Sequence, residues 1–227
     1  KSSTTELTAK IEGQPLNAIF GFETLGICDN QELYDKYAPM MQKYNPKWGM
    51  GDIIIKDRTG EGVINDEDRT VIGNSIPRFT FGLNLGFEYK GFDFSCFFQG
   101  VGKADGYVTM EAIQLMGING ARKEHYKESF NPQDPKPGAY FPRILSSDYN
   151  YAYMSHWVQD ASYIRLKNLQ IGYSFKIKGL NQLRVYASGE NLFTATKYRT
   201  WDPETPVGAR GFYPNVAVYS MGVNLNF

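Results

Sequence analysis

The 227 residues carry 24 basic and 24 acidic side chains, so the formal net charge is zero; this balance argues against a nucleic-acid-binding protein, which would show a basic excess. Apolar residues make up 42% of the sequence, but the mean hydropathy is −0.42, so no window predicts a transmembrane helix. Aromatic residues reach 15% and glycines number 23, which is typical of β-strands with aromatic ends and also of carbohydrate-binding β-sandwiches.

The first fifty residues show little periodicity. A short extended run is predicted at residues 19–22, and a short helix at residues 33–44, which Pro39 would have to begin or break. The sequence opens on Lys1 with no signal peptide, and we expect a fragment of a longer protein.

Five strands are predicted where apolar and polar residues alternate with a period of two. They lie near residues 79–89, 92–101, 163–175, 183–192 and 217–227, and we expect antiparallel neighbours in sequence order. Their connections alternate between short turns and long loops, which is typical of a membrane β-barrel. Five strands cannot close a barrel, because the smallest barrels have about eight. The predicted fold is therefore all-β, the terminal arc of a large transmembrane barrel with long extracellular loops.

Each predicted strand has one apolar face and one polar or small face, as barrel strands have toward lipid and lumen. The residues expected to face lipid are Phe81, Leu83, Leu85, Phe94, Cys96, Ile171, Val185, Val223 and Leu225. The residues expected to face the lumen are Asn84, Gln170, Ser188 and Asn224. Cys96 and Cys28 are the two cysteines of the chain, too few for a disulfide scaffold.

Two regions are predicted: an extracellular loop region at residues 1–78, and barrel strands with their loops at residues 79–227. The long connection at 102–160 carries two predicted short helices, at residues 110–116 and 122–130. Its histidines, His125 and His156, lie in no ligand-spaced cluster and are interpreted as solvated surface residues. The sequence shows no phosphate loop, nucleophile elbow or acid/base pair, so it does not predict an enzyme.

An aromatic run precedes the third predicted strand, at Tyr149, Tyr151, Tyr153 and Trp157. Sugar rings stack on such faces, so the run is a candidate substrate contact. The alternative is that these side chains pack a loop or form an interfacial aromatic girdle. Trp48 and Trp201 carry the same two interpretations, and no substrate-binding residue is assigned.

An acidic loop lies at residues 57–68. Positions 1, 3, 5, 6, 7, 9 and 12 of a calcium loop are occupied by Asp57, Thr59, Glu61, Gly62, Val63, Asn65 and Asp68. If an ion binds, its role is structural. The alternative is an acidic surface loop held by its own turn hydrogen bonds, and the sequence leaves both interpretations open.

Several motifs, in order and at matching spacing, resemble the carboxyl-terminal part of SusC-like TonB-dependent transporters. They are Gly51-Asp52 with residues 57–68, then residues 69–79, 91–95 with 98–100, 160–169, 184–186 with 188–193, and a last strand ending in Phe227. Thr59 and Glu61 depart from the Asn and Asp usual in this family. The departure weakens the calcium interpretation, because a hydroxyl is a weaker ligand and Glu61 is one methylene longer than Asp.

The resemblance implies a twenty-two-stranded, plugged barrel in the outer membrane of a Gram-negative bacterium. It implies import of glycans, oligosaccharides or peptides, with a SusD-like surface lipoprotein at the mouth and energy from the TonB complex. It also implies that Phe227 is part of a barrel-assembly signal. The plug that would contact TonB is not found in this sequence, so the expected partners are the remainder of the transporter and outer-membrane lipid. The alternative is a soluble β-rich carbohydrate-binding module.

Overall fold

The computed structural model describes residues 7–107, 123–135, 137–144, 148–179, 181–199, 202–205 and 213–226. The chain divides into two compact units. The first contains residues 1–76, 106–159 and 206–210, and the second contains residues 77–105, 160–205 and 211–227. The long connection after residue 105 therefore groups with the first seventy-six residues rather than with the predicted strands that flank it.

The described elements are mostly strands. In chain order they are β1 (Thr8–Ala9), β2 (Ala18–Phe22), β3 (Thr24–Ile27), α1 (Gln31–Tyr44), β4 (Ile53–Ile55), β5 (Arg69–Gly73), β6 (Phe79–Tyr89), β7 (Phe92–Gly102), β8 (Asp105–Tyr107), α2 (Lys123–Glu128), β9 (Val158–Asp160), β10 (Tyr163–Phe175), β11 (Gln182–Thr196) and β12 (Val218–Asn226). Short 3-10 helices lie at Asp66–Asp68, Asp148–Tyr151 and Ser155–Trp157. Among the described residues, no helix is long and apolar enough to cross a membrane.

In the first unit, helix α1 begins with a side-chain cap and runs through a proline. The Asn30 side chain accepts a hydrogen bond from the Leu33 N–H, and the Asn45 N–H donates to the Met41 carbonyl at the other end. The expectation that Pro39 begins or breaks the helix is wrong, because Pro39 lies inside it. The packed face of α1 overrides the local cost of the proline, since Ala38 and Met41 on either side of it are buried.

The core of the first unit forms around two small antiparallel sheets, β1-β2-β5 and β3-β4. All three residues of β4 are buried, so this strand is covered on both sides. Trp48 packs in the same core with 2% of its surface exposed, and its indole N–H donates to the Ile53 carbonyl at 3.0 Å. Of the two predicted helices, residues 122–130 contain α2, and residues 110–116 lie outside the described part of the chain.

The second unit is a five-stranded antiparallel sheet in the order β12-β11-β10-β7-β6. The five predicted strands are therefore confirmed, with their order and direction. One bulge, between Leu166 and Asn168, leaves Lys167 without a partner in both neighbouring strands. The register brings the ends of the long connections together at one end of the sheet, where Phe79 pairs with Gly102 and Tyr163 pairs with Val101 and Thr196. The short turns, at residues 90–91 and 176–181, lie at the opposite end.

Candidate functional site

The register places most apolar residues of the five strands on one face of the sheet, while Phe97, Val101 and Val218 lie on the other. One row across the apolar face runs through Leu85, Cys96, Leu169, Gly189 and Tyr219. The nine residues expected to face lipid all lie on this side, and the four expected to face the lumen lie on the other. Their membrane environment stays a prediction.

The apolar face is widely exposed in the second unit. Leu83 and Leu85 are each 49% exposed, and Met221 is 91% exposed. Cys96 is the exception at 7%, because its small side chain lies between the larger Leu85 and Leu169. A contiguous exposed apolar surface of this kind is typical of a face that contacts a membrane or another protein.

On strand β6, aromatic side chains at both ends of the apolar face flank an aliphatic middle. Phe79 and Tyr89 mark the two ends of β6, and Leu83 and Leu85 lie between them. At about 3.4 Å per residue and a tilt of about 40°, this strand spans about 26 Å along a barrel axis. That length matches the apolar band of an outer-membrane barrel, which is about 25 Å tall with aromatic girdles at both edges.

The polar face carries an ion pair between β7 and β11. The Arg184 guanidinium donates two hydrogen bonds to the Asp93 carboxylate, one of them from Nε at 2.9 Å. Gly172 lies beneath the pair on the intervening strand β10. A Cβ atom on Gly172 would lie 2.5 Å from Asp93 Oδ1, so the glycine leaves room for this bridge. The pair borders an open cavity of about 910 Å³ on the sheet near the short turns.

A second charged cluster, the Arg165 clasp, joins the sheet to the connection between β11 and β12. It consists of Arg165, Asp202, Glu204, Tyr163 and Thr194. The Arg165 guanidinium donates twice to Asp202 at 2.8 Å and once to Glu204 at 2.7 Å, and its Nε donates to Thr194 Oγ1 at 2.8 Å. The Tyr163 hydroxyl donates to Glu204 at 2.6 Å.

The Arg165 clasp is buried and holds a second stretch of the same connection. Arg165 is 1% exposed, and the Asp202 side chain is 7% exposed. The Asn215 side chain also donates to Glu204, and its backbone N–H donates to Asp202 at 3.3 Å. Arg165 lies on the polar face, since it pairs with Gln99, which in turn pairs with Gly82. The clasp therefore holds residues 202–205 and Asn215 on the polar side of the sheet.

Sequence reasoning missed both arginine sites. Each arginine lies on the polar face of its strand. A charged side chain on such a face needs no protein partner if water solvates it. The available signal was Asp202-Pro203-Glu204, two carboxylates around a proline in a long loop. Nothing local indicates which basic residue they meet.

The acidic loop, residues 57–68, is closed by hydrogen bonds to its own carboxylates. Asp68 is fully buried; its Oδ1 accepts from the backbone N–H groups of Arg58 and Thr59, and its Oδ2 accepts from the Asn65 N–H at 2.9 Å. Asp57 accepts from Gly60 and Gly62, both at 2.7 Å. The Gly62 and Gly60 N–H groups and the Thr59 hydroxyl hold the pKa of Asp57 below its usual range.

The side chains of this loop are already engaged by donors within the loop. All four carboxylate oxygens of Asp57 and Asp68 already accept hydrogen bonds, Thr59 Oγ1 donates to both residues, and Glu61 Oε2 accepts from the Asn65 amide at 3.3 Å. Within the described residues, no group of three or more His, Cys, Asp or Glu side chains could hold a metal ion. Calcium binding by Asp57, Thr59, Glu61, Val63, Asn65 and Asp68 stays an untested prediction.

Asp68→Ala in the full-length protein should loosen this loop by about 2–3 kcal/mol, because the backbone N–H groups of Arg58, Thr59 and Asn65 would lose their charged acceptor. Limited proteolysis between residues 57 and 68 measures the effect. Glu61→Ala is the matched control, since it removes one exposed carboxylate with a single long contact. Equal cleavage of the two variants would contradict the structural role of Asp68. If the loop also binds calcium, a chelator should increase cleavage of the unsubstituted protein.

The chain is 32% identical to TonB-dependent receptor P3 of Formosa agariphila, over 95% of this chain and 22% of that protein. It is 27% identical to TonB-dependent receptor SusC of Bacteroides thetaiotaomicron, over 100% of this chain and 21% of that receptor. The expected resemblance to SusC-like TonB-dependent receptors is confirmed. No protein-family model matches the chain.

Solved structures support the same fold for this SusC-like chain. The RagAB peptide importer in its closed-closed state matches 100% of the chain with a TM-score of 0.72 and 22% identity, over 24% of the importer chain. Its open-open state matches with a TM-score of 0.70 and 20% identity. The predicted fold, an all-β arc of a large transmembrane barrel, is confirmed. The SusC-like chain spans about a fifth of the length of its curated relatives.

The aromatic run of the SusC-like chain packs inside the first unit. Trp157 is fully buried and its indole N–H donates to the Asn150 carbonyl at 2.8 Å, and Tyr151 is 3% exposed. The Tyr149 hydroxyl donates to the Ile53 carbonyl at 2.9 Å, and the Tyr153 ring meets Tyr107 edge-on. These contacts favour the packing interpretation over a sugar-stacking face. Trp201 and Phe227 lie outside the described residues, so the assembly role of Phe227 stays a prediction.

The expectation that both histidines are solvated surface residues is wrong. His125 is 2% exposed and its ring meets Phe141 edge-on at 4.5 Å. His156 Nε2 lies 2.7 Å from the Tyr140 carbonyl, and burial lowers the pKa of His156. Each ring packs against an aromatic side chain that is distant in sequence, His125 against Phe141 and His156 against Tyr140.

Proposed function

We propose that this chain forms part of the wall and the extracellular loops of an outer-membrane transporter that imports oligosaccharides or peptides in a TonB-dependent manner. The observation that carries the proposal is the register of the sheet, which places all nine residues expected to face lipid on one widely exposed face and the four expected to face the lumen on the other. The homology to TonB-dependent receptors supports the transport role.

In this arrangement the exposed apolar face meets outer-membrane lipid and the opposite face lines the lumen. An antiparallel sheet with two free edges leaves backbone N–H and C=O groups unpaired, which is unfavourable in lipid. The remaining strands of the transporter would pair with the outer edges of β6 and β12. The short-turn end of the sheet would face the periplasm.

The long connections would lie on the extracellular side, because they leave the sheet at the end opposite the short turns. Residues 1–78 and the connection 103–162 then form the extracellular region. A SusD-like lipoprotein is the proposed partner over the mouth, and the TonB complex the partner of a plug elsewhere in the protein. The RagAB structures, which are of a peptide importer, make peptides one substrate class to test beside oligosaccharides.

The experiment compares a strain lacking the full-length transporter with its complemented parent. Growth on peptides and on oligosaccharides as the limiting nutrient is measured, with and without TonB function. We expect one substrate class to require both the transporter and TonB. In parallel, the extraction of the protein is followed with and without detergent. A protein that stays in solution without detergent and supports no uptake would instead match a carbohydrate-binding module.

A further inference from the structure

We propose that the short-turn end of the sheet binds the phosphate headgroups of anionic phospholipids through Lys90, Lys176 and Lys178. This proposal rests on the proposed function, since it requires the apolar face to lie in a bilayer. It names the class of lipid that binds at the barrel wall and the side chains that bind it.

The two short turns lie side by side. The Ser174 N–H, near the end of β10, donates to the Gly91 carbonyl of the β6–β7 turn at 2.7 Å. Lys176 and Lys178 follow immediately in the next turn, and both are exposed. The three lysines therefore project from neighbouring turns at one edge of the sheet.

The charged side chains of the two short turns are all positive. Residues 89–92 and 175–181 contain three lysines and no acidic residue. The nearest strand carboxylates, Glu88 and Asp93, pair with each other across β6 and β7 in the polar phase of the sheet, and Asp93 bonds to Arg184. The acidic groups thus belong to the face away from lipid, and Lys90 stands beside Tyr89 of the apolar face.

The lysines also stand at the depth where headgroups would lie. The Tyr89 and Phe92 pair and Tyr173 beside Phe92 form the last aromatic row before the turns. Aromatic rings of this kind lie at the boundary between acyl chains and headgroups. Lys90 Nζ lies 5.2 Å from the centre of the Tyr89 ring, so its ammonium stands at that boundary. Long lysine side chains reach outward from such positions to the phosphate level.

Anionic phospholipids fit this edge better than zwitterionic ones. Each lysine near a charged membrane surface contributes about 1 kcal/mol, a factor of about five in affinity, and the attraction is screened by salt. A zwitterionic headgroup offers the same phosphate but adds a cation that three lysines repel. The expected ligand is therefore an anionic phospholipid such as phosphatidylglycerol.

The test uses the full-length transporter in nanodiscs of phosphatidylcholine with a minor share of phosphatidylglycerol. The affinity for phosphatidylglycerol is measured by native mass spectrometry for the unsubstituted protein and for Lys90→Gln, Lys176→Gln, Lys178→Gln and the triple variant. We expect a preference for phosphatidylglycerol at low salt that falls about fivefold with each lysine replaced. The matched control is Lys36→Gln/Lys43→Gln/Lys47→Gln, which removes three exposed lysines of the first unit and should keep the preference.

Two results would overturn the proposal: an unchanged preference in the triple variant, or displacement of the lipid by inorganic phosphate at matched ionic strength, which would indicate a site for free phosphate. The single variants keep the test valid if the triple variant does not fold. Quenching of a fluorophore at position 85 by brominated lipid separates this failure from that of the proposed function. Quenching without a lipid preference overturns the lysine site alone, and no quenching overturns both.

Discussion

Arg165→Ala is expected to destabilise the assembled transporter by about 3–5 kcal/mol, because it leaves the carboxylates of Asp202 and Glu204 without their buried partner. The burial decides the size of the effect, since Arg165 is 1% exposed and donates to both acids and to Thr194. An exposed ion pair would contribute less than about 1 kcal/mol. The measurement is the temperature at which the folded, heat-modifiable form of the full-length protein is lost.

The Arg165→Ala variant should also release the β11–β12 connection. Residues 202–205 and Asn215 are held through the same two carboxylates, so protease cleavage between residues 197 and 217 should rise. Arg165→Lys should restore part of the stability, because an ammonium supplies the charge without the paired hydrogen-bond geometry. Arg58→Ala, at an exposed arginine of the first unit, is the matched control. An Arg165→Ala protein that behaves like this control would contradict the Arg165 clasp.

Leu85→Arg is expected to cost about 2–4 kcal/mol if Leu85 lies near the middle of the bilayer, and less toward an interface. The position is in the aliphatic middle of β6, between the aromatic ends Phe79 and Tyr89, and is 49% exposed. An arginine there would place a charge against acyl chains. The yield of folded barrel in outer-membrane fractions measures the loss.

Asn84→Arg provides the control one residue away. It lies on the opposite face of the same strand, where an arginine can reach the lumen, so its yield should stay close to that of the unsubstituted protein. Leu85→Met should be tolerated, because it keeps an apolar side chain of similar volume. Equal losses from Leu85→Arg and Asn84→Arg would show that the apolar face does not lie in lipid.

The strands of the barrel arc could be predicted from the sequence because the alternation of apolar and polar residues is a local pattern. A strand places successive side chains on opposite faces, so the alternation from Phe79 to Tyr89 predicts both an element and its apolar face without knowledge of its neighbours. The tight turn at Lys90-Gly91 then specifies an antiparallel partner. The family motifs added the kind of barrel, since they recur in order along the chain.

The first unit was less predictable, because its order depends on contacts between distant segments. Pro39 argues against a helix locally, but Ala38 and Met41 are buried beside it, and packing outweighs the lost hydrogen bond. His125 and His156 look like surface residues until Phe141 and Tyr140 pack against them. Asp52 is buried and is satisfied by Arg143 and Asn150, more than ninety residues along the chain.

The sequence by itself therefore determined the strands, their faces, their order and the family. Only the tertiary structure decided which charges meet: Arg165 with Asp202 and Glu204, and Arg184 with Asp93 across a gap left by Gly172. Strand alternation is a property of neighbouring residues, whereas a buried ion pair depends on the register of three strands and the path of a loop. For Arg165, the energy that selects the partners arises on burial, where an unpaired charge is too costly to remain.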